Sequence, residues 1–145
     1  MRMKRIAFPL VAMFLTACAA IETYSWGEWV SPDIVGTNTE AFSILDWSNH
    51  PGTITSIDGA TDVKTGFKRA RLLPGRHIIS YADYPTNFGI HPQGSIEIEM
   101  KPGHQYRFGV LYCFTCSPRK YAVWIDDITT GEIAWGSRPD WRLRW

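Results

Sequence analysis

From Glu40 onward, apolar and polar positions alternate with a period of two, the pattern of strands that bury one face. Within Ser95–Met100, Ile96, Ile98 and Met100 point one way and Glu97 and Glu99 the other. His104–Tyr112 places Tyr106, Phe108, Val110 and Tyr112 on one face, and Lys120–Asp126 does the same with Tyr121, Val123 and Ile125. Shorter runs of the same kind are Phe42 to Leu45, Thr53–Ile57, Phe67–Leu73, His77–Ala82 and Ile133–Trp135. A last one sets Trp141, Leu143 and Trp145 against Arg142 and Arg144. Turn residues separate the runs: Asp58-Gly59, Pro74-Gly75, Lys101-Pro102-Gly103 and Thr129-Thr130-Gly131. Leu73–Arg76 reads as a tight hairpin joining the runs on either side of it. No segment beyond the N-terminal apolar run shows a helical stripe. The pattern predicts an all-β fold, a small antiparallel β-sandwich of seven to nine strands over residues 40–145.

The N-terminus is of another kind. Met1–Arg5 is short and basic, and Ile6–Leu15 is an apolar run of ten residues containing Pro9. A membrane-spanning helix needs roughly 20 apolar residues, so this run has the size of a signal-peptide core instead. It ends in Leu15-Thr16-Ala17-Cys18. This ending resembles the lipobox of bacterial lipoproteins, an aliphatic residue and two small residues before a cysteine. The resemblance implies removal of residues 1–17 and lipid on the thiol of Cys18, an anchor that release does not compete with once two or more acyl chains are attached. Ala19 rather than an acidic residue follows the cysteine; by the same resemblance this leans towards the outer membrane, periplasmic side. Residues 18–39 contain Gly27, Pro32, Gly36 and Asn38 and read as the lipidated N-terminus and a tether. Trp26 and Trp29 are unusual in a tether and are expected to dock on the domain or at lipid headgroups.

Composition narrows the function classes. The chain has 145 residues, enough for one domain. Taking Arg2, Lys4 and Arg5 from its 15 basic residues leaves 12 against 14 acidic ones, a net charge of −2 after processing. That balance offers no footprint for nucleic acid. Seven Trp, six Tyr and seven Phe favour strands and supply candidate binding surfaces.

Few residues are grouped in a way that carries chemistry. With Cys18 lipidated, Cys113-Phe114-Thr115-Cys116 holds the remaining thiols. In an oxidising compartment a disulfide is the default reading; a redox pair or a metal site are the alternatives. Asp126-Asp127 with Glu132 admits either a calcium-binding group or solvated acids of a hairpin turn. Trp124, Trp135, Trp141 and Trp145, with Tyr81 and Tyr84, are either core residues or a stacking platform for sugar rings or a partner chain. His50, His77, His91 and His104 lie in or beside turns, with no spacing of a metal helix or catalytic triad. No cofactor or metal is called for.

Ser56-Ile57-Asp58-Gly59, then Leu72-Leu73-Pro74-Gly75-Arg76-His77, then Lys101-Pro102-Gly103-His104-Gln105-Tyr106 is similar to the succession of turns in PEGA-like domains. Small bacterial lipoproteins carry this arrangement, often followed by something like Trp124-Ile125-Asp126-Asp127. The resemblance covers roughly Thr53–Gly136, implies a compact sandwich at the cell envelope, and implies that His77 and His104 pack against neighbouring turns. The expectation is a non-catalytic lipoprotein that binds an envelope protein or cell-wall glycan or gives structural support. The alternative is an envelope thiol-redox factor using Cys113 and Cys116.

Overall fold

The computed structural model describes residues 27–34, 41–51, 53–64, 66–83 and 89–140. Its strands are β1 Glu28–Val30, β2 Ser43–Asp46, β3 Ile54–Ile57, β4 Arg69–Leu72, β5 Gly75–Ala82, β6 Gln93–Met100, β7 Gln105–Cys113, β8 Lys120–Asp127 and β9 Glu132–Gly136. They form a six-stranded sheet in the order β1-β4-β2-β7-β8-β9 and a three-stranded sheet in the order β3-β5-β6. The fold is thus all-β with two sheets, and the alternating runs of the sequence locate β2 to β9. The expected strand at Trp141–Trp145 lies outside the described residues.

One apolar core joins the sheets. Leu45, Leu72, Phe108 and Ile125 from the larger sheet and Ile54, Ile57, Ile79 and Ile96 from the smaller one are fully shielded from solvent. The Phe108 ring meets Tyr81 of the smaller sheet at a centroid distance of 5.7 Å. Burying side chains of this size supplies roughly 1.5–3 kcal/mol each, the main force that holds two sheets face to face.

Three features depart from the sequence reading. First, the stretch read as tether supplies β1, which pairs in parallel with β4 from Glu28↔Arg69 to Val30↔Arg71. Trp29 enters the core at 4% exposure, so docking on the domain is its role; Trp26 lies outside the described residues. Three residues are too few for alternation to reveal a strand. Second, β2 pairs in parallel with β7 as well as antiparallel with β4, so the larger sheet is mixed rather than purely antiparallel. Third, Leu73–Arg76 is not a hairpin. β4 belongs to the larger sheet and β5 to the smaller one, so the chain changes sheets there. Gly75, at φ 129°, allows the bend. Asp58-Gly59, both at positive φ, makes a tight two-residue turn closed by an isolated bridge between Ile57 and Ala60, after which the chain leaves the smaller sheet.

Lys101-Pro102-Gly103 likewise carries the chain from β6 back to β7. A histidine locks each crossing to another turn. His77 Nδ1 lies 2.6 Å from Asp58 Oδ2, and its Nε2 donates to the Leu73 carbonyl at 2.7 Å. His104 Nδ1 lies 2.7 Å from Asp127 Oδ2.

Cys113 closes the β7–β8 ladder opposite Lys120 and is bonded to Cys116 in the connection that follows, with the Cα atoms 5.4 Å apart. Cys113 is therefore a buried strand residue rather than a loop residue. The closed loop is short, so in the chain-entropy account its removal costs about 2 kcal/mol. Replacing both cysteines by serine is expected to lower the melting temperature by several degrees without changing far-UV circular dichroism; an unchanged melting curve would exclude a stapling role.

Candidate functional site

Alternation along β7 sends Tyr106, Phe108 and Val110 into the core and leaves Arg107, Gly109 and Leu111 on the outer face of the larger sheet. On β8, Ile125 is the inward residue, so Trp124 and Asp126 share the outer face with them. Gly109 pairs with Trp124. A Cβ on Gly109 would stand 2.5 Å from Cε2 and Cζ2 of the indole, so Trp124 lies across the glycine backbone. An aromatic laid over a cross-strand glycine restores the contact that the glycine gives up. Trp124 is only 4% exposed although it is on the outer face.

The indole Nε1 donates to Asp126 Oδ2 at 3.1 Å. Arg138, just past β9, donates from Nε and Nη2 to Asp126 Oδ1 at 2.8 and 2.7 Å. Both oxygens of this buried carboxylate are therefore occupied. Beside it a cavity of about 450 Å³ opens among Asn49, His50, Arg107, Gly109, Trp124 and Arg138, within the usual volume of a small-molecule site.

His50 belongs to this wall through an unusual bond. β2 ends at Asp46, so β7 has no strand neighbour on that side beyond Arg107. The Val110 N–H is left facing outward and donates to His50 Nε2 at 3.4 Å. The ring proton must then sit on Nδ1. Burial holds the His50 pKa below its ordinary value, and the charge of Asp83 offsets only part of this. Asp83 in turn accepts the Tyr112 hydroxyl. Burial first, then that hydrogen bond and the Asp83 charge, push the Tyr112 phenol far above its usual range, so it is a donor and not a nucleophile.

The strand register sets a transverse row of charges across the same face. Glu28 pairs with Arg69, Arg69 with Asp46, Asp46 with Arg107, and Arg107 with Asp126. Opposite charges across strands stabilise such a row modestly. Glu28 is bound by Arg71 at 3.1 Å, whereas Asp46 Oδ1 accepts the Ser48 N–H.

The residues singled out from sequence are dispersed. Trp124 is on the outer face, but Trp135 pairs with Ile125 and packs against the core, so the two do not share a platform. Tyr81 is a core residue lying over Gly94. Cys18, Tyr84, Trp141 and Trp145 lie outside the described residues. Asp126 and Asp127 diverge onto opposite faces, and both are buried rather than solvated. Asp127 accepts from His104 and from the N–H groups of Thr129 and Thr130. Burial raises its pKa, but these bonds together outweigh burial and hold it below the usual carboxylate value. Arg107, Arg138 and Asn49 were not singled out by sequence, and His50 was read there only as a turn histidine. The one available signal was Gly109 inside a strand, which marks a close approach.

No family model, curated protein or solved structure matches the chain.

Two outcomes follow from this geometry. Gly109→Ala must displace Trp124 and is expected to cost about 1–3 kcal/mol in urea unfolding, as overpacking does; wild-type stability would mean that the indole is not held there. His50 binds protons less readily when folded, so its contribution is complete above its unfolded pKa and is lost as pH falls through the folded value. Between pH 7 and 5, melting temperatures of the wild type should fall more steeply than those of His50→Gln, whose amide oxygen can still accept from Val110. Parallel profiles would contradict this.

Proposed function

We propose that the protein is a lipid-anchored lipoprotein of the bacterial cell envelope, held on the periplasmic side of the outer membrane, whose β-sandwich binds a ligand or partner or gives structural support without catalysing a reaction. One observation carries the reading: basic residues Arg2, Lys4 and Arg5, a short apolar run and Leu15-Thr16-Ala17-Cys18 occur together and in order. The bonded Cys113–Cys116 pair supports it, because such bonds persist in oxidising compartments. The two Pro-Gly crossings, each followed by a histidine tied to another turn, support kinship with PEGA-like domains.

The redox alternative has less behind it. Cys113 is 5% exposed at the end of a strand, without the helix N-terminus that lowers a thiol pKa. The binding role draws on the cavity beside Trp124 and Arg107, and a cell-wall glycan or an envelope protein is the partner class.

Cys18→Ala should either accumulate as uncut precursor or be released from the detergent-extractable membrane fraction. Mass spectrometry of the wild type should find a lipid-modified Cys18 at the mature N-terminus. An unmodified Cys18 peptide in the wild type would overturn the reading.

A further inference from the structure

Arg107 stands between two carboxylates in the strand register, Asp46 on β2 and Asp126 on β8, yet forms an ion pair with neither among the described residues. The reason is that Asp126 is already claimed. Trp124 and Arg138 hold its two oxygens, and those bonds fix it against the sheet. The exposed Arg107 guanidinium is left at the wall of the 450 Å³ cavity with its planar fork of donors free. The neutral His50 and the exposed Asn49, both polar, line the same wall. Arg107 and Arg138 against Asp126 leave the lining one positive charge in excess.

We infer that this cavity binds a small ligand through a carboxylate, held by the Arg107 fork beside His50 and Asn49. A guanidinium takes a carboxylate through two parallel hydrogen bonds, and a single negative charge matches the excess. A phosphate monoester carries about 1.5 to 2 negative charges near neutral pH, more than the single excess charge of the lining balances. The choice of probes rests on the envelope reading above; the site itself does not. Cell-wall chemistry offers the carboxylate from two sources, an acidic sugar or the end of a short peptide.

The test is calorimetric titration of the full lipidated chain in detergent micelles. The probes are N-acetylmuramic acid, N-acetylglucosamine (the same sugar without the lactyl carboxylate), acetyl-D-alanyl-D-alanine and inorganic phosphate. Binding of N-acetylmuramic acid but not N-acetylglucosamine assigns the carboxylate to a sugar; binding of the dipeptide alone assigns it to a peptide. In either case Arg107→Gln should weaken binding about tenfold or more, the loss expected for a charge-assisted pair. Arg107→Lys should recover only part, and both variants should keep a cooperative ligand-free melting curve, lowered at most slightly by the loss of the cross-strand charge row. Equal binding of N-acetylglucosamine or phosphate, full affinity in Arg107→Gln, or no binding of either carboxylate would overturn the inference. None of these outcomes bears on lipid at Cys18, which the fractionation experiment reads separately.

Discussion

The alternation of side chains along β7 is the constraint on which the rest of the molecule depends. Its inward residues Tyr106, Phe108 and Val110 are buried in the core shared with the smaller sheet, and a shift of register by one residue would turn them outward. Such a shift would put Arg107 into the core and expose Phe108. Because β7 lies between β2 and β8, the same register aligns Asp46, Arg107 and Asp126 on the outer face. Core packing and the candidate site are therefore two consequences of one pairing. The free side of β7 beyond Arg107 is what brings His50 in, since a buried N–H needs an acceptor when no strand supplies one.

Joining two sheets requires the chain to cross between them, and both Pro-Gly crossings are fastened in the same way. Proline and glycine make the bend, and a histidine shortly after it reaches an aspartate of a distant turn. Each aspartate also caps backbone N–H groups: Asp58 that of Ile78, Asp127 those of Thr129 and Thr130. The charge on the aspartate is thus satisfied from several directions, which is what a partly buried carboxylate needs. At the second of these crossings the backbone is fastened further, with the Lys101 N–H donating to the Tyr106 hydroxyl and the Lys101 carbonyl accepting from Ser43.

The outer face of the larger sheet shows how a charge becomes available. Charged residues in a row usually neutralise one another, but hydrogen-bond saturation decides which pairs form. Asp126 is drawn to Trp124 and Arg138, and Glu28 to Arg71. What distinguishes Arg107 is therefore the prior engagement of its neighbours rather than any property of its own.

Sequence alone was sufficient for the all-β class and for the runs that became β2 to β9, because strand alternation is local and the inward residues had to be apolar. It also made Cys113 and Cys116 natural partners, since residues three apart can close a turn wherever the fold places them. Sheet membership was another matter. Pro74-Gly75 suits a hairpin and a corner equally well, and the corner was selected only when the core residues of β4 and β5 entered one cluster from different sheets. Trp124 and Trp135 looked alike in sequence, and the β8–β9 register sent one outward and the other to the core. The cavity joins residues from the chain after β2, from β7 and β8, and from the segment after β9. Their meeting depends on a parallel β2–β7 pairing that no local pattern encodes, because the energy that fixes it comes from burying one shared core.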